Sequence, residues 1–576
     1  MASRRKPNDS RLLVLGVAFV VAWAGIGFRL VRVQGFEADE HAARGEQQRR
    51  RTEDLSAPRG TIYDRDGVEL AVSIDAITVT INPQEVDDVV ALARELAPMV
   101  GEPRHVLRQR FTKPGSQFAY VARRLESAEA EVIRQFVRDN EISGVYFTSE
   151  PKRIYPAGDL ASQVVGFVRD DDMAGLEGIE WKYDELLSGI PGQQIVERDP
   201  YGNPIPQGDF IVDPAQPGAD LILTIDREIE FAAQQILAQA VADTNAVAGT
   251  VVVLDIDTGE VLAMASAPTF DPNDRSGTDP AAYRNRAVTD VYEPGSTLKV
   301  VTVAAALEED VVTPRTSIKV PAKVEIGDKE YTDVGRKKAR QMTVSDIVAQ
   351  SSNVGTILIQ DLLGNAEHYS YLSAFGLGAV ASGDLPGEAS GHLENVRNWC
   401  DTTCGPSTAI GYRVDVTPLQ MASVFAAIAN DGVWVQPHVV REVIRADGTR
   451  ERFQPTERPV VSAETARTMR LMLQGVVETG TGTLAAIDSY TVGGKTGTTE
   501  KFVPGEGYSL EDRIASFIGI APIDDPRIVV AVVLDSPNGE LEDGSDLKFG
   551  GVSAAPVFAA VAEATLHRLG VPPDVR

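Results

Sequence analysis

The stretch Glu293-Pro294-Gly295-Ser296-Thr297-Leu298-Lys299 runs directly into the apolar segment Val300 to Leu307. Pro-Gly ahead of such a run predicts a helix start, with Ser296 in its first turn. Lys299, three residues on, then projects from the same face and sets an amine beside a hydroxyl. A serine hydroxyl is a weak nucleophile until a base takes its proton, and a lysine serves as that base only when neutral. Burial and a second nearby cation both lower a lysine pKa, and Lys495 is the candidate second cation.

An SxxK match alone is weak, because about one is expected by chance in a chain of this composition. Ser149-Glu150-Pro151-Lys152 and Ser545-Asp546-Leu547-Lys548 match as well. The first contains a proline and the second lies in an acidic, glycine-bearing stretch, so both read as surface loop. Ser296 is distinguished by its company. Ser351-Ser352-Asn353 offers a hydroxyl and an amide between the apolar-periodic segments Val344 to Ala349 and Val354 to Leu363. Lys495-Thr496-Gly497-Thr498, after Thr491-Val492-Gly493-Gly494, reads as a strand whose small residues admit a ligand backbone, while its hydroxyls and Lys495 could hold a carboxylate.

Other chemistries find little support. None of the six histidines, His41, His105, His368, His392, His438 and His567, stands in a metal-ligand or GxSxG context. Gly494-Lys495-Thr496 resembles the end of a phosphate loop, but Ser489 stands where its first glycine belongs. The chain has 576 residues and a formal net charge of -28, a balance that repels nucleic acid at long range. Its length predicts two or more domains. Cys400 and Cys404 are too few for a disulfide framework or a four-cysteine zinc site, and their spacing allows a local bridge or two free thiols.

Leu12 to Phe28 is entirely apolar or glycine, and Arg29 can snorkel from its end. We expect an uncleaved membrane anchor. The rival reading is a cleaved signal peptide, for which Ala22-Trp23-Ala24 has the right form but lies inside the run rather than after it. Arg4, Arg5, Lys6 and Arg11 precede the run, yet Arg29, Arg32, Arg44 and Arg49 to Arg51 follow it, so charge orients the segment weakly. The expected divisions are a cytoplasmic tail 1–11, anchor 12–32, polar stalk 33–56, first lobe 57–215, second lobe 216–570 and tail 571–576. The boundary rests on the Pro-, Gly- and Asp-rich stretch Asp199 to Gly218. Hairpins are predicted around Asp66-Gly67 and Asp257-Thr258-Gly259, strands at Ala515 to Ile520 and Ile528 to Leu534, and a closing helix over Ala554 to Leu569. Strands at both ends of the second lobe with helices between them predict an α+β fold, an antiparallel sheet flanked by helices.

SxxK, SxN and KTG in that order resemble the penicillin-recognising serine acyltransferases. Arg59-Gly60 with Asp64-Arg65-Asp66-Gly67, then Arg153-Ile154-Tyr155-Pro156 and Gly175-Leu176-Glu177-Gly178-Ile179-Glu180, resemble the pedestal motifs of class B penicillin-binding proteins. Leu223-Thr224-Ile225-Asp226, Asn285-Arg286-Ala287, Thr417-Pro418-Leu419-Gln420 and Gly550-Gly551 extend the likeness through the second lobe. Asn353, where the elongation branch more often has aspartate, resembles the septal, cell-division branch. Gln163 departs from the histidine of many relatives. No glycosyltransferase-like lobe precedes the pedestal, as it would in a class A enzyme.

The resemblance implies a single-pass protein of the bacterial cell membrane with a β-rich pedestal and a serine β-lactamase-like transpeptidase lobe outside the cytoplasm. It implies D,D-transpeptidation of peptidoglycan stem peptides, inhibition by β-lactams, no metal or organic cofactor, and a membrane glycan polymerase and division proteins as partners. Ser296 would be the nucleophile and Lys299 its base; Ser351 and Lys495 would relay a proton, and Asn353 would hold the donor amide. Thr496, Gly497 and Thr498 would line the substrate carboxylate site. Two alternatives stand beside this: a β-lactamase or penicillin-sensing receptor, and a non-catalytic division scaffold.

Overall fold

The computed structural model describes residues 9–40, 50–197, 210–503, 505 and 507–575. Most of the expected cytoplasmic tail, with Arg4, Arg5 and Lys6, part of the stalk, and much of the 199–218 stretch lie outside them. One unit comprises Met1–Pro58 with Gly189–Pro217, the other Arg59–Ser188 with Gly218–Arg576. The first contains the helix Asp9–Val31 and a three-stranded sheet of Arg50–Leu55, Gly192–Glu197 and Phe210–Asp213. Arg11–Phe36 is helical for 26 residues and apolar enough to cross a membrane.

In the larger unit, the central sheet is antiparallel, in the order Val261–Ala267, Ala248–Asp255, Ile528–Asp535, Gly507–Ala521, Gly493–Val503. Its strands alternate two cores. Val252, Leu254, Val529, Ala531, Ile518 and Ile520 face one side with the helix Pro418–Ala429. Val251, Val253, Val530, Val532 and Phe517 face the other with Arg227–Asp243 and Gly550–Arg568. Both faces are apolar because both are covered by helices, and period-2 side-chain alternation divides the residues between them. The KTG strand Gly493–Val503 is left at the sheet edge, where its outer backbone groups are available to a ligand.

The predicted turn at Asp66-Gly67 joins Ile62–Tyr63 to Glu69–Ile81. A second sheet crosses the lobe boundary expected near residue 215. Asp220–Leu223 pairs in parallel with Ile62–Tyr63, through Ile62 with Leu221, and antiparallel with Val440–Ile444. The three pedestal motifs meet beside it in one buried cluster. Glu180 is fully buried and receives Arg59 Nε at 2.5 Å and Arg153 Nε at 2.6 Å, while Arg153 Nη1 donates to the Gly60 carbonyl at 2.7 Å. Gln163 also reaches across: its Nε2 donates to the carbonyls of Pro268 and Ala282 at 3.1 and 3.0 Å, so this departure lies against the second lobe. Ser149 to Lys152, expected in a loop, lies within the strand Val145–Ile154. Among the described residues that strand pairs only with Glu69–Ile81, and an edge position accommodates Pro151.

Candidate active site

Ser296 sits in a 3₁₀ turn, Gly295–Leu298, that feeds the α-helix Lys299–Glu308. The expected helix start is therefore a tighter turn, with Lys299 the first α-helical residue. Gly295 has φ +55, and its N–H donates to the Gly411 carbonyl at 3.1 Å. Gly411 itself has φ +85, and a Cβ there would stand 2.1 Å from the Gly295 oxygen. This glycine contact holds the Ser296 turn against the segment following the helix Cys404–Ala409. Cys400 and Cys404 at its start form a disulfide, with Cα atoms 5.3 Å apart.

Val300 to Leu307 is buried throughout, so the helix is packed on all sides and carries Lys299 into the core with it. Lys299 is 1% exposed; its Nζ donates to the Ser351 carbonyl at 2.7 Å, Asn353 Oδ1 at 2.6 Å and Ser351 Oγ at 3.3 Å. Lys495 is 0% exposed, and its Nζ donates to Ser351 Oγ at 2.9 Å and the Thr496 carbonyl at 3.2 Å. Neither ammonium has a carboxylate partner among the described residues. Burial, and then the charge of Lys495, holds Lys299 well below the ordinary lysine value. Burial pushes Lys495 down to about 7.

The two lysines meet at Ser351 because that residue turns the chain between the helices Val344–Ala349 and Asn353–Leu363. It does so at φ +54, a left-handed backbone rarely adopted by a side-chain-bearing residue. Ser352 caps the second helix, its Oγ accepting from Gly355 N at 2.9 Å. Asn353 Nδ2 donates to the Thr332 carbonyl at 3.1 Å, which aims its oxygen at Lys299.

On the facing strand, Gly497 admits close approach: a Cβ there would lie 2.3 Å from Ser516 Oγ and 3.1 Å from the Pro294 carbonyl. Thr498 Oγ1 accepts from Gly550 N at 3.1 Å, so the Gly550-Gly551 motif serves as a brace for the KTG strand. Ser296, Ser351, Asn353, Thr496 and Thr498 line one cleft of about 1360 Å³. Among the described residues Ser296 Oγ makes no hydrogen bond, and no histidine lines the cleft. Thr481 was not singled out from sequence; its Oγ1 lies 2.7 Å from Thr496 Oγ1. It stands in a Thr/Gly stretch with no distinguishing spacing. Glu293, quoted only as part of the helix start, accepts from Tyr508 at 2.9 Å and Arg413 N at 2.7 Å, tying the Ser296 turn to the neighbouring hairpin and to the segment after Gly411.

A buried lysine three residues after a cleft serine, facing a hydroxyl-bearing turn and a KTG edge strand, defines a serine acyltransferase site of the penicillin-recognising kind. The penicillin binding protein transpeptidase domain profile matches residues 249–563, and the penicillin-binding protein dimerisation domain matches residues 54–223. The chain belongs to the class B penicillin-binding proteins, in their septal branch. It is 34% identical to a probable peptidoglycan D,D-transpeptidase, PenA, of Neisseria meningitidis, over 99% of this chain and 95% of that one. It is 32% identical to the peptidoglycan D,D-transpeptidase FtsI of Escherichia coli, over 98% and 91%. The structure is similar to penicillin-binding protein 3 of Mycobacterium tuberculosis complexed with aztreonam, with TM-score 0.71 and 31% identity over 90% of this chain and 98% of that one.

Proposed function

We propose that this serine-type peptidoglycan D,D-transpeptidase works through the following residue roles. Ser296 Oγ attacks the carbonyl of the penultimate D-Ala of a donor stem and gives its proton to neutral Lys299. The C–N bond to the terminal D-Ala breaks as Ser351 and Lys495 deliver a proton to the departing amine. An acceptor stem amine then attacks the acyl-enzyme, returns its surplus proton through the same groups and frees Ser296. The backbone N–H groups of Ser296 and Thr498 stabilise the oxyanion, and Thr496 and Thr498 hold the terminal carboxylate on the open strand edge. A β-lactam imitates that terminus and stops at the acyl-enzyme. Asn353 orients Lys299 and the donor amide.

The observation that carries this reading is the convergence of two buried lysines, neither with a carboxylate partner among the described residues, on Ser351 Oγ. A structural lysine pair would be neutralised, whereas a general base must be able to lose its proton. Its test is mass spectrometry of the penicillin adduct in the full chain and in Ser296→Ala. A stable adduct on Ser296, lost in the variant, is expected; an adduct elsewhere would move the nucleophile, and rapid hydrolysis would favour the β-lactamase reading.

We also propose that the apolar N-terminal helix anchors the chain with its catalytic lobe outside the cytoplasm, and that a membrane glycan polymerase and division proteins work beside it. The helix and the similarity to FtsI support this. The lobe limits 57–215 and 216–570 are proposed as units of evolution rather than of packing, since a sheet runs across them.

A further inference from the structure

One wall of the cleft is cationic. The segment Asp333 to Ala339 joins the strands Lys329–Thr332 and Arg340–Thr343, and its root is fastened to the SxN turn. Asp333 accepts from Ser352 Oγ at 2.7 Å and Val354 N at 3.0 Å, and it pairs with Arg336, whose Nη2 reaches Ser352 Oγ at 2.8 Å. Arg336 is thereby neutralised. Lys337, Lys338 and Arg340 are exposed on the cleft wall and have no ion pair among the described residues. Burial first, and Arg340 second, lower the pKa of Arg336, which places Arg340 within repulsive reach of it.

The other cleft charges do not cancel these. Glu500 lies 3.7 Å from Arg513, and Asp543 stands with its carboxylate accepting from Ser545 N. The lining thus holds five cations against three carboxylates, within a chain of net charge -28. Exposed lysines on a solvated loop are ordinary. Two uncompensated lysines on a rooted segment, with uncompensated Arg340 at the start of the next strand, line the reaction cleft and form a local field for an anion.

We infer that Lys337, Lys338 and Arg340 recognise a free side carboxylate of the donor stem, upstream of its D-Ala-D-Ala end. This rests on the transpeptidase reading and names a preference of that same site. The terminal carboxylate is assigned to Thr496 and Thr498, so the strip serves a different one. It rises from Thr332 and Asp333, which hold Asn353 and Val354, on the side where the donor amide is held. A cleft of about 1360 Å³ has room for residues beyond a dipeptide. The determinant is charge: a stem whose glutamate carboxylate is amidated keeps its shape and loses the attraction.

The test uses the full-length protein in detergent micelles and synthetic stems ending in D-Ala-D-Ala, with the glutamate carboxylate free or amidated. Each serves as donor to one fixed D-amino acid acceptor. The free-acid donor should show a KM about fivefold lower at similar kcat, the effect of roughly 1 kcal/mol from exposed ion pairs, and added salt should shrink the gap. A Lys337→Gln/Lys338→Gln/Arg340→Gln variant should lose the preference, and Lys338→Glu, which leaves a net charge of +1 on the strip, should shrink it. Equal KM values in the parent, or a preference surviving the triple substitution, overturn the inference. Fluorescent-penicillin labelling of the parent separates the two levels: absent labelling sinks the transpeptidase reading, while intact labelling without discrimination sinks only the carboxylate site.

Discussion

Replacing Ser351 by glycine separates its structural and chemical parts. At φ +54 a residue with a side chain carries about 1–2 kcal/mol of backbone cost that glycine avoids. The same substitution removes the Oγ that accepts from Lys495 at 2.9 Å and stands 3.3 Å from Lys299 Nζ. Lys299 keeps the Ser351 carbonyl at 2.7 Å and Asn353 at 2.6 Å, and Lys495 keeps the Thr496 carbonyl at 3.2 Å. The charge-assisted bond from Lys495, about 1.5–3 kcal/mol, is therefore lost together with the longer one from Lys299, against the backbone relief. Ser351→Gly should fold with stability within about 2 kcal/mol of the parent. Ser351→Ala, without the relief, should lie about 1–2 kcal/mol below the glycine variant. Both should acylate slower by about 10²–10⁴, the contribution of a positioned proton carrier, or about 3–5 kcal/mol of barrier. The assay is the second-order rate of labelling by a fluorescent penicillin, with a denaturation midpoint for each variant. A glycine variant labelling within about threefold of the parent would refute the relay, and one less stable than the alanine variant would refute the backbone argument.

Two further outcomes follow from buried charges away from the cleft. Burial raises the Glu230 carboxyl from 4.5 to about 7. The folded state therefore holds a proton that the unfolded chain releases, so this contribution is intact below pH 4.5 and lost as pH rises to about 7. The loss is about 3 kcal/mol. The melting midpoint of the parent should fall across that window, whereas Glu230→Gln, which can still accept from Met264 N, should lack most of the fall; parallel profiles would contradict it. Glu180→Ala strands the buried guanidinium of Arg153, leaves Arg59 only Asp184, and should destabilise the pedestal junction by about 3–5 kcal/mol. A loss under about 1 kcal/mol, read by chemical denaturation, would show that the cluster is not an ionic anchor.

Much of the site could be read in advance because its parts are local. Pro294-Gly295 punctuates a turn, Val300 to Leu307 demands a buried helix, and the glycines around Lys495-Thr496 admit a strand edge. The pedestal motifs were equally visible as strings, but their meeting at Glu180 was not, since Arg59, Arg153 and Glu180 belong to three separate segments. Thr481 and the Asp333 brace carried no recognisable spacing, for each acts through a partner distant in sequence. Ser149 to Lys152 misled for a related reason: proline forbids a central strand, and only the sheet order makes that strand an edge.

The sequence by itself determined the order of motifs, the family likeness, the apolar N-terminal helix and the local structure around each reactive residue. The tertiary structure alone decided which groups touch. Ser351 lies 52 residues from Lys299 and 144 from Lys495, yet all three meet within hydrogen-bond reach. The low pKa values of the two lysines belong to that packing. An amine gives up its charge only where water has been removed and no counter-ion replaces it, and only the folded chain creates that condition.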